Sequence, residues 1–335
     1  MSLTPKTPIP EGAIRYNTDS NKMEVWIGDK WMQVSVTHEA SGLGGRAFRV
    51  GGGSGGTIIE TWNIATEGNA IDTGFDLSTG VHSHACAGSR TRCVAAGGRS
   101  SAGSPYALQN VIQFFEMTSL SNAIDFGDLT FSQGRCEGAS NQTRMVTGGQ
   151  QHAASNNTMN LITIQTTGNA TDFGDLVLAR ELVHALESPT RGIIMGGNLP
   201  PNDTAQNAMD FFSFATTGNA LDFGNLTFGR YAPTGMSNNT RGLIAQGTGP
   251  GGQNIIDFVQ IATTGNAQDF GDAQENKFGA GGFSGPTRCG FFGGYTNTTK
   301  INAINIITKG NSTFFGDLTL TGTYLGGHSD VHGGL

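Results

Sequence analysis

Acidic and amide side chains that could bind a metal ion lie in a short phrase that the chain repeats. "TTGNATDFGDL" begins at Thr166, and the other copies are "TEGNAIDTGFDL" from Thr66, "SNAIDFGDL" from Ser121, "TTGNALDFGNL" from Thr216, "TTGNAQDFGDA" from Thr263 and "TKGNSTFFGDL" from Thr308. Two carboxylates three residues apart could supply oxygen ligands for Ca²⁺, although no copy has the D-x-D-x-D spacing of known calcium loops. In the last copy Phe314 stands in place of the first Asp, which argues against a ligand role.

The same phrase is also typical of a tight turn. Gly and Asn tolerate positive φ, and an Asp side chain can accept backbone N–H bonds within the turn. The D-x-G core resembles the Asp-box of sialidases, which is itself a structural turn. We therefore predict a scaffold turn that binds neither metal nor cofactor, with its Asp bonded to local backbone or to a recurring Arg.

Other reactive side chains form no recognisable catalytic motif. The chain lacks a P-loop and H-E-x-x-H. The histidine pairs His82 with His84 and His328 with His332 are weak metal signals. Four cysteines without a C-x-x-C pair are expected to be buried and reduced: Cys86, Cys93, Cys136 and Cys289. We predict that the protein is not an enzyme and has no catalytic, metal or cofactor-binding residue.

Composition narrows the class of protein. The chain has 335 residues, of which 52 are Gly and only 13% are charged, with a net charge of −7. Abundant Gly, Asn and Thr without a helical period predicts an all-β fold with many turns. The absence of a basic stripe argues against a nucleic-acid partner. No apolar run is long enough for membrane insertion, and "MSLTPKTPIPEG" does not resemble a signal peptide, so we expect folding in a cytoplasm.

Two markers divide most of the chain into six units. One is the Asn of the repeated phrase, which lies at Asn69, Asn122, Asn169, Asn219, Asn266 and Asn311. The other is an Arg that opens an apolar run ending in small residues: Arg46, Arg92, Arg144, Arg191, Arg241 and Arg288. Each unit is about 48 residues long and contains four β-like runs, which is typical of one blade of a propeller.

The pattern resembles the kelch family of β-propellers. A strand ending in Gly-Gly, a second strand and a T-x-G-N turn carry this resemblance from about residue 45 onwards. It implies a six-bladed propeller over 46–335. The usual kelch Trp is replaced by the Phe of "DFG", expected between neighbouring blades. The C-terminal strand "GTYLGGHSD" should complete the first blade beside "RAFRVGG". We also predict that the recurring Arg residues pair with the motif aspartates.

Loops of variable length follow the Gly pairs and should gather on one face of the propeller. Their polar, weakly charged content suits neutral polar ligands such as glycans, although solvated turns are an alternative. The candidate ligand residues on these loops are Tyr106, Asn110, Asn156, Asn157, Asn202, Asp203, Gln253, Tyr295 and Asn297.

The N-terminal segment, 1–36, differs from the repeats and precedes a linker, 37–45. Its phrase "GAIRYNTD…MEV…G..W" resembles short β modules of bacteriophage tail-fibre, neck and other virion proteins. So small a β-meander cannot bury Tyr16, Trp26 and Trp31 alone, so these residues are expected to attach it to another chain or to its own copies.

Together these observations predict a phage virion protein that forms homo-oligomers, contacts other virion proteins through its N-terminal module and is assembled in the host cytoplasm. The propeller would bind host-surface glycan. Alternatives are a tail or capsid decoration or assembly protein without a ligand and, third, a polysaccharide-degrading enzyme.

Overall fold

The computed structural model describes residues 10–17, 22–33, 45–53, 56–100, 107–151, 157–200, 203–249, 254–296 and 298–335. Throughout these ranges the secondary structure consists of strands and turns, with no helix, so the predicted all-β class is confirmed. The chain divides into two compact units, Met1–Leu43 and Gly44–Leu335. Apart from Gly45, the predicted linker lies outside the described residues.

The N-terminal unit contains one three-stranded antiparallel sheet in the order β1-β2-β3. Its strands are β1 (Ile14–Asn17), β2 (Lys22–Ile27) and β3 (Lys30–Gln33). The register places Ile14 opposite Val25 and Val25 opposite Met32, so these side chains share one face. Trp26 and Trp31 lie on the other face with their ring centroids 5.3 Å apart.

The second unit contains six four-stranded antiparallel sheets. Sheet 1 combines the last strand of the chain, β31 (Gly326–Ser329), with β4 (Arg46–Val50), β5 (Ile58–Asn63) and β6 (Ile71–Asp76). Sheet 2 contains β8 (Ala85–Gly88), β9 (Arg92–Ala96), β11 (Gln109–Glu116) and β12 (Ile124–Gln133), with β7 (Val81–His82) and β10 (Arg99–Ser100) paired beside it. Sheet 3 contains β13 (Glu137–Ser140), β14 (Arg144–Gly148), β15 (Thr158–Thr163) and β16 (Thr171–Asp175).

The remaining sheets repeat this plan. Sheet 4 contains β17 (His184–Glu187), β18 (Arg191–Met195), β21 (Ala208–Ser213) and β22 (Leu221–Asn225), with the short pair β19 (Asn198–Leu199) and β20 (Thr204–Ala205). Sheet 5 contains β23 (Thr234–Ser237), β24 (Arg241–Ala245), β25 (Ile255–Gln260) and β26 (Gln268–Asp272). Sheet 6 contains β27 (Gly281–Phe283), β28 (Arg288–Phe292), β29 (Lys300–Asn305) and β30 (Thr313–Asp317).

The predicted pairing of the C-terminal strand with the first Arg-led strand is present. β31 pairs antiparallel with β4, from Gly326 opposite Val50 to Ser329 opposite Ala47. The first strands of the sheets contact one another in the cyclic order β31, β8, β13, β17, β23, β27 and back to β31. Sheet 6 and sheet 1 are therefore neighbours in the same way as sheets that follow each other in the chain.

Six apolar clusters fill the interfaces between successive sheets, including that between sheet 6 and sheet 1. The Phe of the repeated phrase lies in five of these clusters, as predicted, and is 2–3% exposed: Phe126, Phe173, Phe223, Phe270 and Phe315. In sheet 3, for example, Phe173 packs against Phe212 of the following sheet with ring centroids 5.3 Å apart. Burying a large aromatic at each interface gives the repeat much of its packing energy.

The Asn of the repeated phrase joins successive sheets. Its side-chain oxygen accepts the backbone N–H of a residue in the preceding sheet's outer strand, at 2.9–3.1 Å in all six copies: Asn69, Asn122, Asn169, Asn219, Asn266 and Asn311. The copy at Asn69 accepts from Asp317, which links sheet 6 to sheet 1. The neighbouring main chains also bond directly, as in Gly168 N to Phe126 O at 2.8 Å. A Cβ on Gly127 would meet the Gly168 carbonyl at 2.5 Å, so this approach requires the Gly of "DFG".

The prediction that the recurring Arg residues pair with the motif aspartates is wrong. Five of them donate from Nη1 to backbone carbonyls just beyond the end of the third strand of the next sheet: Arg92, Arg144, Arg191, Arg241 and Arg288. Arg288 reaches Ala65 O at 2.8 Å, again joining sheet 6 to sheet 1. Arg46 instead pairs with Asp330 at 3.2 Å. The guanidinium satisfies carbonyls that the strand ladder leaves unpaired, which spacing along the sequence does not reveal.

Candidate functional site

A closed ring of backbone hydrogen bonds joins all six sheets. One residue from the segment before the first strand of each sheet takes part. These six residues are called here the ring: Ser83, Arg135, Leu182, Ala232, Gly279 and Tyr324. Each N–H donates to the carbonyl of the preceding ring residue at 2.7–3.1 Å, and Ser83 donates to Tyr324. All six have left-handed backbones, with φ between 47° and 63°. Arg135 and Tyr324 each bring a large polar side chain to this position.

The ring surrounds a pocket, the ring pocket. Its lining consists of the six ring residues, the residue after each of them, and two residues of the first strands, Glu137 and His184. The walls are mainly apolar: Val183, Pro233, Ala280 and Leu325 among others. The polar side chains of the lining are those of Ser83, His84, Arg135, Glu137, His184 and Tyr324. Polar groups set among apolar walls are a feature of small-molecule sites.

The polar groups of the ring pocket have perturbed acid–base properties. Burial, with a smaller contribution from His82, lowers the pKa of His84 to about 3, so its imidazole is neutral at physiological pH. Burial raises the pKa of Glu137, while His184, whose Nε2 lies 3.4 Å from Glu137 Oε2, opposes that shift. Glu137 Oε1 also accepts the backbone N–H groups of Cys86 and Gly138. The Glu137 carboxylate is thus held by protein donors.

Aromatic side chains run from the outer loops to the ring. Tyr295 stacks on Phe278 with ring centroids 4.6 Å apart, and Phe278 lies edge-on to Tyr324 at 6.4 Å. His82 lies on the other side of Tyr324, also at 6.4 Å. Tyr295 is 54% exposed. The aromatic track, Tyr295–Phe278–Tyr324, thus offers flat apolar surfaces beside the ring pocket.

The loops after the Gly pairs have described ends that bond to the segments carrying the ring. Examples are Gly53 N to Thr323 O at 2.9 Å, Asn198 N to Glu181 O at 2.8 Å and Tyr295 N to Phe278 O at 2.8 Å. The bases of these loops consequently lie next to the ring. Their variable middle parts lie in the gaps between described ranges.

The predicted ligand residues divide into three groups. Tyr106, Asn156, Asn202, Gln253 and Asn297 lie outside the described residues. Asn157 donates to Leu176 O at 3.2 Å, and Asp203 accepts from Asn198 Nδ2 at 2.6 Å, while Asn110 lies within β11. Tyr295 alone of the described candidates belongs to the aromatic track.

Sequence reasoning missed the ring residues, although a signal exists. Each ring residue within the repeats lies nine positions before the recurring Arg, for instance Arg135 before Arg144 and Leu182 before Arg191. The segment has a constant length in every unit, so it lacks the length variation that distinguishes the outer loops. What differs between the units is the type of side chain at this fixed position, not the length of the segment.

A second cavity lies among the first strands, lined by residues such as Ala87, Leu186, Met236, Phe283 and His328. At its far end the segment after β31 crosses between sheets. There His332 Nδ1 lies 2.9 Å from Glu187 Oε1, and His332 Nε2 lies 3.0 Å from Gly88 O. A Cβ on Gly334 would collide with the carbonyl of Ser140. The segment after β31 therefore contributes His332 to the wall of this cavity.

The candidate metal and redox residues have the following positions. His328 and His332 are buried with partners, whereas His82 is half-buried. The described residues contain no group of three or more His, Cys, Asp or Glu that could hold a metal ion. All four cysteines are buried and free, as predicted. Burial raises the pKa of the Cys136 thiol to about 12, with Glu137 as the next cause.

Neither a family model nor a curated protein matches this chain. Within the described residues no helix has the length and hydropathy that crossing a membrane requires.

Proposed function

We propose that the six sheets form a closed six-bladed, kelch-like β-propeller. The support is that every kind of contact between successive sheets recurs between sheet 6 and sheet 1: the Asn69–Asp317 bond, the Arg288 bond and a shared apolar cluster. The ring of backbone hydrogen bonds has the same six-fold order.

We further propose that the propeller binds a glycan on the face that carries the ring. The observation that carries this proposal is the aromatic track with the exposed Tyr295 at its outer end, beside a pocket containing His84 and Arg135. Aromatic rings can cover the C–H face of a sugar, while nearby polar groups bond its hydroxyls. The backbone hydrogen bonds of the ring, together with that from Tyr295 N to Phe278 O, hold both elements in place, so little ordering is needed on binding. In this proposal the protein acts by binding rather than by catalysis.

The chain is proposed to work as part of a phage virion, with its N-terminal sheet attaching it to other virion proteins or to its own copies. This rests on the resemblance of the N-terminal phrase and on an exposed apolar face: Ile14, Tyr16, Ile27 and Met32 are 43–65% exposed. That face equally favours the second candidate function, a decoration or assembly protein that binds no glycan.

Binding of the full-length chain to a glycan array and to host cells tests the proposal. We expect specific glycans to bind and Tyr295→Ala to weaken this binding at least tenfold. Ile71→Ala, which removes an exposed side chain of β6 remote from the ring, is the matched control. Absence of binding to any glycan or host surface would favour the assembly function.

A further inference from the structure

We propose that the ring pocket receives the carboxylate-bearing end of an acidic sugar chain, with Arg135 as the partner of the carboxylate. The inference rests on the glycan-binding function proposed above and specifies its ligand. It names a hexuronic acid or a similar acidic sugar as the unit at the pocket.

The first argument is the variety of side chains at one repeated backbone position. The ring residues share a left-handed φ and the same hydrogen bond, a conformation that favours Gly. Only Gly279 is a glycine, and the other five positions hold Ser, Arg, Leu, Ala and Tyr. The Asn between sheets, by contrast, is identical in all six units. Because the five strained positions all line the pocket and differ in chemistry, we infer that their side chains serve recognition rather than folding.

The second argument is an unpaired buried imidazole. His84 is 2% exposed, lines the ring pocket, and neither of its ring nitrogens has a partner among the described residues. Gly326 makes room for it, since a Cβ there would collide with His84 Nε2. A neutral imidazole offers one donor and one acceptor. Buried polar groups almost always have partners, so a bound molecule with oxygen atoms is the expected complement.

The third argument is charge. Arg135 has a side chain 28% exposed at the ring and is paired with the buried Glu181. Arg99 and Arg135 both lie close enough to His82, beside Tyr324 of the ring, for their charges to add to burial in lowering the pKa of its imidazole. The one carboxylate that lines the pocket, Glu137, already faces His184 and two backbone N–H donors. A guanidinium binds carboxylate through strong paired hydrogen bonds, stronger than those to a hydroxyl.

Calorimetric titration of the full-length chain tests the assignment. The probes are two oligosaccharides that differ only in their terminal unit, a hexuronic acid in one and the neutral hexose in the other. We expect the acidic probe to bind about ten to a hundred times more tightly, as charge-assisted bonds are stronger than neutral ones. Arg135→Gln should remove this preference, and His84→Phe should weaken binding of the acidic probe at least tenfold.

Controls separate loss of binding from loss of folding. Arg135→Gln leaves Glu181 without its cation, so the double variant Arg135→Gln/Glu181→Gln is measured as well, and its melting temperature reports folding. Arg90→Gln changes an exposed arginine in the turn at the opposite end of β8 and should leave binding unchanged. Loss of the acidic preference in a double variant that melts like the wild type would support the proposal.

Other outcomes would overturn it. Equal binding of both probes would remove the carboxylate assignment while leaving glycan binding intact. Binding that needs Tyr295 but tolerates Arg135→Gln and His84→Phe would place the ligand outside the ring pocket. If neither probe nor any arrayed glycan binds, the proposed function itself fails. Unchanged binding together with a higher melting temperature for His84→Phe would indicate that the imidazole meets only water.

Discussion

At the scale of single residues, the repeated phrase is a joint between sheets. Its most ligand-like member, Asp172, is exposed and accepts the N–H of Gly174 at 3.2 Å, so the predicted local bond is present. The linking role belongs to Asn169, whose oxygen accepts the N–H of Asp128 at 3.0 Å. An amide side chain reaches across the interface, while the nearby glycine lets the main chains approach. Near-identical interfaces explain why the phrase recurs.

We expect Asn169→Ala to cost about 0.5–1.5 kcal/mol of unfolding free energy, because it removes one hydrogen bond and leaves a backbone donor without that acceptor. Asp172→Asn keeps the turn acceptor and should cost less than about 1 kcal/mol. Urea unfolding of both variants measures the difference.

A chelator should leave the wild-type melting temperature unchanged, whereas a drop would indicate a metal bound at the Asp pairs.

The buried His84 predicts a pH dependence of stability. In the unfolded chain this histidine takes up a proton near pH 6.5, while burial keeps the folded pKa at about 3. Since the unfolded state binds more protons in this window, stability falls as the pH drops from about 6.5 towards 3. At pH 5 the loss from this residue is about 2 kcal/mol relative to pH 7.

Comparing wild type with His84→Asn isolates this contribution, because Glu137 and His328 are present in both proteins. The urea midpoint of the wild type should fall more between pH 7 and pH 5 than that of His84→Asn, so the two midpoints should lie closer together at pH 5. Parallel pH profiles would show that His84 already has its proton or a polar partner in the folded state.

At the scale of elements, the strands were the most predictable feature. Four β-like runs in each unit, one of them opened by an Arg, predicted the strands, and β18 does begin at Arg191. The short pairs β7 with β10 and β19 with β20 were not predicted, because two-residue ladders carry no periodic signal. The predicted partners of the recurring Arg residues were wrong because the observed partners are backbone carbonyls of another sheet. The ring was missed because its hydrogen bonds join segments about 50 residues apart.

The N-terminal sheet should self-associate or bind the virion through one identifiable face. Ile14, Tyr16, Ile27 and Met32 expose their side chains there, and a three-stranded sheet of this size is marginal alone. We expect the full-length chain to sediment as an oligomer or to bind the particle. Residues 44–335 alone should be monomeric.

The double variant Ile14→Lys/Met32→Lys should abolish that association by placing charges on the apolar face. Asp29→Lys, in the exposed turn between β2 and β3, adds a similar charge off the face and should leave it intact. Analytical ultracentrifugation of the three proteins decides the matter. A full-length chain that is monomeric and does not bind the particle would contradict the attachment role.

At the scale of the whole molecule, the repeats depend on one another. No sheet of the second unit buries both of its faces alone, because each apolar cluster takes side chains from two successive sheets. The proposed closure gives every sheet two neighbours. In the sequence, this closure is indicated by the position of the last strand. Its phrase, "GTYLGGHSD", matches the strand that precedes the Arg in each internal unit, but it stands at the end of the chain instead of before Arg46.

The decisive prediction is that removing the last strand abolishes cooperative folding. Deleting residues 322–335 removes β31, leaves β4 without a partner on that edge, and breaks the ring at Tyr324. It also removes Leu325 from the cluster between sheets 6 and 1. Calorimetry should then show a broad, weak transition in place of a single sharp one. Deletion of residues 1–43 leaves all six sheets intact and should retain the sharp transition. If the C-terminal truncation melts as cooperatively as the intact chain, the two ends of the repeat array fold independently and the closed propeller is wrong.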